Sequence, residues 1–226
     1  MKIEDLFSDS FQQLRVSFQT AEELLQPMVG KMLSSDSRFC KEVVAAGQIS
    51  QEGMQQAALL YRLGKSRNSE TVFWMIDQNQ RVRDAIVSDT WASVLLKERG
   101  LIDQQWCPQH CLFGLHLLAV CHKNIGVVES VRSCIVLSER FPEYLWMATG
   151  YLANLNHWLF LPLKGRRVIC YPATDLTGDT YLLWLNVATA ARKYGLDITV
   201  SRFLEDYATP SQKSHKIDLI DFLYEK

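Results

Sequence analysis

What this sequence lacks narrows it before what it contains. Its formal net charge is only -1 with a pI near 6.5, so no global field draws it to nucleic acid or to an anionic membrane, and such contacts have to come from local patches. No apolar run approaches the roughly 20 residues that cross a bilayer, because polar residues interrupt each one, and no membrane association is expected. There is no G-x-S-x-G elbow, phosphate loop or dinucleotide fingerprint, which removes the best-marked hydrolase, NTPase and nicotinamide chemistries. Internal repeats and low-complexity segments are missing as well.

Paired cysteines are also absent. Cys40, Cys107, Cys111, Cys121, Cys134 and Cys170 are scattered, with no C-x-x-C, and no secretory h-region opens the sequence. Reduced thiols in a cytoplasmic protein are the expectation. The run WCPQHCLFGLHLLAVCH gathers Cys107, His110, Cys111, His116, Cys121 and His122, but its centre is too apolar to face a metal. Buried thiols and a core histidine account for it, and zinc is not expected.

What is present fills 226 residues, 48% of them hydrophobic, enough for one large core or two small ones. Residues 1–60 read as a helical layer. Phe7, Phe11, Leu14 and Phe18 recur at helical spacing, a run over 21–33 is weakened by Pro27, and shorter helices are expected over 37–46 and 50–63, with Ser50 as N-cap and Gly64 as stop. Residues 61–122 read as a small α+β region. Its centre is the hairpin TVFWMID-QNQ-RVRDAIVS, followed by a helix over 90–100 that Thr90 starts and Gly100 ends. CLFGLHLLAVC, residues 111–121, is buried as strand or as helix, and its period does not decide which.

Residues 123–226 alternate strand and helix: strands over 125–128, 144–148, 167–171 and 197–203, helices over 131–140, 152–158, 180–194 and 217–224. This is how a mostly parallel, Rossmann-like α/β sheet is written. Glu129 and Asp175 follow the ends of two of these strands, where open α/β sheets place their ligands. Each also has a purely structural reading. Glu129 is positioned to pair with Arg132 along the next helix, and Asp175 to cap a helix starting near Thr177.

The succession GVVES, ATG, CYPATD with GDTYLLW and a terminal DLIDFL resembles the Toprim-like module of primases and topoisomerases, in the form carried by replication-associated proteins of conjugative elements and phages. YRLGKSRNSETVFWMIDQNQRVRD and CLFGLHLL are similar to upstream motifs of the same proteins, so the resemblance runs from about Leu60 to the C-terminus. It implies a Toprim-like sheet, primase-related function in mobile-element DNA replication, and partners in single-stranded or primed DNA or another replication protein.

The resemblance also implies Mg²⁺ held at strand ends, with Glu129 as ligand or general base and Asp175 as ligand, both catalytic, and Thr149 and Gly150 in a turn that meets phosphate. Asp179, one turn on, is a third candidate metal ligand. Three departures weaken this. Ala173 stands where the D-x-D motif has its first aspartate, Leu115 where a glutamate is usual, and Arg132 where a lysine follows the E-S motif. Weak Mg²⁺ binding and impaired catalysis follow, or alternatively a non-catalytic binding or interaction module on a degenerate Toprim fold. Arg81, Arg83, Arg132, Lys164, Arg166 and Arg167 are the candidate nucleic-acid contacts. Phe73 and Trp74 are interleaved with the first pair, so a solvated polar face over buried rings is the competing account.

Overall fold

The computed structural model describes residues 20–224; the Phe7, Phe11, Leu14 and Phe18 pattern lies outside them. The described residues form two compact units, one running to Cys111 and including Leu115–Leu117, the other comprising Leu112–Gly114 and everything from Leu118. The helical layer and the hairpin region, read separately from the sequence, thus fall in one unit.

In the first unit the hairpin is central. β1 (Gly64–Lys65), β2 (Thr71–Ile76), β3 (Val82–Val87) and β4 (Thr90–Trp91) form an antiparallel sheet in that order. Every residue of β2 is buried, because helices cover both of its faces. Val72, Trp74 and Ile76 join the cluster formed with Leu24 and Leu25 of α1 (Ala21–Leu25) and Leu96 of α4 (Ala92–Glu98). On the other face Phe73 meets Phe39 of α2 (Arg38–Ala45) edge-on at 5.4 Å. α3 (Gln51–Leu60) starts where expected, with the Ser50 side chain accepting from Gly53 N at 2.9 Å. Pro27 ends α1 early and sits in a short 3-10 turn, Gln26–Met28.

The helix expected from Thr90 begins two residues later. Thr90 is held in β4, and the start of α4 is anchored instead by the buried Asp84 carboxylate, which accepts from Ser93 N at 3.0 Å and Ser93 Oγ at 2.5 Å. His110 Nε2 lies 3.2 Å from the same carboxylate, with its ring stacked on Trp91 at 3.9 Å.

The second unit is a parallel sheet. β5 (Asn124–Val128), β6 (Tyr144–Ala148), β7 (Arg167–Cys170) and β8 (Asp197–Val200) stand in the order β6-β5-β7-β8, with every pairing parallel. α5 (Val131–Arg140) connects β5 to β6, and α6 (Asp179–Arg192) connects β7 to β8. Three short helices, α7 (Phe203–Tyr207), α8 (Pro210–Ser214) and α9 (Leu219–Tyr224), close the unit. The fold is therefore mixed α/β, a parallel sheet in one unit and an antiparallel sheet with helices in the other.

Two local devices shape this unit. Gly126 of β5 is paired with Trp146, and a Cβ at Gly126 would lie 2.6 Å from the indole Cζ3, so only glycine lets that buried ring lie across the strand. The segment 111–121 is neither strand nor helix throughout. Gly114, at φ 84°, divides it into an antiparallel bridge from Phe113 to Ala148 and a 3-10 turn at Leu115–Leu117.

Candidate functional site

All strands of the parallel sheet end on one side, and the chain leaves β5 toward β6 but reaches β7 on the opposite flank. The gap beyond the ends of β5 and β7 is a topological switch point, the position where α/β sheets bind ligands. Glu129 follows β5 at this point. Thr149 and Gly150 follow β6, with Thr149 N donating to Val128 O at 3.1 Å and Gly150 N to Glu129 O at 2.9 Å. The loop after β7 carries Ala173, Thr174 and Asp175.

Glu129 is half-buried, and its Oε1 accepts from Leu152 N at 3.2 Å. Burial pushes its carboxyl above the ordinary value, that N–H pulls it part of the way back, and the charge of Asp218 pushes it up again. Asp218 is also raised, chiefly by burial, despite accepting from the Ser133 hydroxyl and from the Asp221 and Ile220 N–H groups. Two carboxylates that raise their affinity for protons in this way form a site short of positive charge.

Asp175 behaves in the opposite manner. Its Oδ1 accepts from Thr177 N at 3.0 Å, Thr177 Oγ1 at 2.9 Å and Asp179 N at 3.1 Å, and its Oδ2 from Thr180 N at 2.8 Å. Burial alone would raise this carboxyl, but the bonds from Thr180, Thr177 and Asp179 outweigh it and hold the group well below the usual carboxylate range. Asp175 thus ties down the start of α6, whose N-cap Gly178 has no side chain for the task. Asp179 shares the Thr177 hydroxyl, at 2.6 Å.

These placements decide how well the residues suit a metal. Among the described residues no group of three or more His, Cys, Asp or Glu side chains is poised on one ion. The set Glu129, Asp175 and Asp179 is not a ready cage, because Asp175 spends its lone pairs on backbone amides and Thr177. The pair whose carboxyls are raised is Glu129 with Asp218, although Asp218 itself accepts three hydrogen bonds. The terminal DLIDFL motif contains Asp218 and is the only signal for it in the sequence. Its hydrogen bond to Ser133 spans 85 residues.

The turn at Thr149 is tight. Thr149 is fully buried and its Oγ1 has no hydrogen-bond partner, while Gly150 takes φ 85°. Thr174 is fixed by its own bonds, donating from N to Ile217 O at 3.0 Å and from Oγ1 to Glu205 Oε1 at 2.8 Å, with Lys213 Nζ 3.3 Å from Glu205 Oε2.

The basic candidates are divided between the two units, and those of the second do not converge. Arg81 and Arg83 belong to the first unit, where both grip the Asp77 carboxylate, Arg81 Nε at 3.2 Å and Arg83 Nη2 at 2.8 Å, and Arg83 also holds Glu22 at 2.7 Å. Phe73 and Trp74 are buried beneath them, so the aromatic surface that a single strand would need there is missing. Arg132 is exposed in the first turn of α5, near Glu129 in the chain. Lys164 and Arg166 precede β7 and Arg167 is its first residue, so all three lie at the opposite, amino edge of the sheet, where Arg166 donates to Leu118 O and Lys123 O.

In the Cys/His run, Cys111 is buried and its thiol is pushed up to about 12 by burial. His116, also buried, is lowered to about 4, first by burial. Its Nε2 lies 3.2 Å from Leu60 O.

No helix among the described residues is long and apolar enough to cross a membrane. Searches of curated proteins and of solved structures returned no match. One family model does match, over residues 38–174, more than half of the chain. The matched stretch includes Glu129, Thr149 and Gly150 and stops just before Asp175, leaving Asp179 and Asp218 beyond it. The chain belongs to the DUF6371 family, a domain of unknown function.

Proposed function

We propose that this chain is a Toprim-like, primase-related module of mobile-element DNA replication that binds nucleic acid and is catalytically impaired. The observation that carries this reading is the half-buried Glu129 at the switch point of a parallel sheet ordered β6-β5-β7-β8, facing the charge of Asp218. That position suits a strand-end carboxylate of such a module, and a raised carboxyl pair suits a divalent cation, whose binding would relieve the repulsion. Ala173 and the saturated Asp175 leave the site short of the anionic ligands that two-metal phosphoryl chemistry uses. The reading therefore assigns weak Mg²⁺ binding to Glu129 and Asp218.

A second reading, a non-catalytic binding or interaction module on the same degenerate scaffold, is favoured by one feature, the commitment of Asp175 to the start of α6. One experiment separates the two. Thermal unfolding of the full chain is followed with MgCl₂ or MnCl₂ added, for the wild type, E129Q and D218N. Free metal at ten times its Kd stabilises by about 1.4 kcal/mol, a shift of several degrees. The metal reading expects that shift in the wild type and its loss in both variants. A wild-type midpoint unmoved by either metal eliminates it and leaves the non-catalytic module.

A further inference from the structure

At the amino edge of the parallel sheet an exposed ring cluster stands apart from the carboxylates. The segment before β7 forms a 3-10 helix, His157–Leu163, preceded by a shorter one, Leu152–Asn154, where the sequence suggested a single short helix over 152–158. Asn154 and Asn156 fix its entry: Asn156 Nδ2 donates to Asn154 O at 2.7 Å, and Asn156 Oδ1 accepts from Trp158 N at 3.0 Å.

In a helix of three residues per turn, positions i and i+3 eclipse. Phe160 and Leu163 therefore turn inward, and Phe160 packs edge-on against the buried Trp184 of α6 at 6.3 Å. The row Trp158, Leu161, Lys164 is left on the outside. Trp158 is 60% exposed and Tyr194, just past the end of α6, is 45% exposed.

These rings form one cluster, in which His157 and Tyr194 are stacked and Trp158 is tilted against both. His157 lies parallel to Tyr194 at 5.3 Å and 14°, and Trp158 lies 4.4 Å from His157 and 5.6 Å from Tyr194. The buried His157 Nε2 has no hydrogen-bond partner among the described residues, so stacking on Tyr194 orients that ring. Lysine surrounds the cluster. Lys193 precedes Tyr194, and the Lys164 Nζ lies 3.5 Å from where a Cβ at Gly195 would stand. Among the described residues Lys164, Lys193 and Arg167 form no ion pair. On this side Asp197 is in register with Arg167.

Large exposed rings cost free energy unless something covers them, and cations beside them favour a covering that is both aromatic and anionic. We infer that Trp158, Tyr194 and His157 are a stacking platform for the bases of single-stranded nucleic acid, with Lys164 and Lys193 on its phosphates. This inference is independent of the carboxylate site, which lies at the other edge of the sheet.

The test is fluorescence anisotropy of the full chain with labelled oligo-dT and oligo-rU of about 16 nucleotides, and with a duplex of equal length, in about 50 mM salt. The wild type binds the single strands in preference to the duplex. W158A/Y194A weakens that binding on the order of tenfold, while W158F/Y194F keeps most of it. The binding persists in EDTA, so a failure of the metal site and a failure of the platform are read separately. The inference falls if the wild type binds no single strand, or if W158A/Y194A binds as the wild type does. It also falls if W158A/Y194A changes only the sedimentation coefficient, which would make the rings a contact between copies of the chain.

Discussion

At the carboxyl edge of the parallel sheet the acids Glu129, Asp175, Asp179, Glu205, Asp218 and Asp221 outnumber the bases Arg132, Arg202 and Lys213, whereas at the amino edge of the same strands Lys123, Arg140, Lys164, Arg166, Arg167, Arg192 and Lys193 outnumber Glu139, Glu143 and Asp197. A chain net charge of -1 conceals this polarity. Part of it is ordinary helix electrostatics. α5 and α6 begin at the carboxyl edge and end at the amino edge, so acids such as Asp175 and Asp179 sit by a helix N-terminus, and Arg192 by a C-terminus. What that account leaves over is more informative. It explains neither a half-buried Glu129 raised beside Asp218, nor an exposed Trp158 clustered with His157 and Tyr194. Each edge thus keeps one feature that the fold does not require, and the two features favour ligands of opposite charge.

The largest effect should come from the acid that the helix account does explain. D175A removes a charged acceptor of four hydrogen bonds at the start of α6 and should cost about 2–4 kcal/mol in urea unfolding. Its contribution is held above the ordinary carboxylate range and lost as pH falls through the depressed folded value, so the gap between D175A and wild type should narrow in acid. If D175A instead keeps full stability and loses a metal response, Asp175 is a ligand and the division drawn within the carboxyl edge is wrong.

That division also shows where the sequence was readable. The strands of the second unit were legible because Ile125–Val128 and Leu145–Ala148 are short apolar runs closed by polar residues, and parallel strands buried on both faces are written that way. The location of Glu129 and Asp175 at strand ends followed from them. The role of Asp175 did not, since a carboxylate two residues before a threonine serves equally as ligand or as cap, and only the donors around it decide. Asp218 was hidden by distance in the chain. Arg81 and Arg83 looked like a surface patch because one of their partners, Glu22, lies 61 residues from Arg83. The exposed Trp158 depended on a 3-10 helix that runs on to Leu163, past the short helix over 152–158 suggested by the sequence.

A smaller effect, of the opposite sign, is expected from the acids that the helix account leaves over. Glu129 and Asp218 have raised folded values, so the native state binds their protons more tightly than the unfolded chain does. Their stabilisation is complete below the unfolded carboxylate value and is lost as pH rises through the folded one. Without added metal, E129Q should therefore melt higher than wild type at pH 8, by about 1 kcal/mol, a common size for a single stabilising substitution. The difference should shrink as the pH drops to the carboxylate range. Wild type and E129Q with parallel pH profiles would mean that Glu129 is not strained, and the carboxyl edge would then be fully accounted for by its helices.

The smallest effect separates bases that serve the fold from bases that serve a ligand. Arg166 donates to the backbone at Leu118 and Lys123, and Arg192 to Ile198 O at 2.8 Å, so both work inside the unit. Lys164 and Lys193 do not, and each phosphate that one of them neutralises should add about 0.7 to the steepness of log affinity against log salt for a single strand. K164Q and K193Q should each remove that increment in oligo-dT binding while leaving the melting temperature within a degree or so of wild type, as surface substitutions usually do. R192Q should do the reverse, lowering the melting temperature through the bond to Ile198 O and leaving the slope alone. If the arginine and the lysines instead act alike, the amino edge is one diffuse basic field, and the ring cluster has no cations of its own.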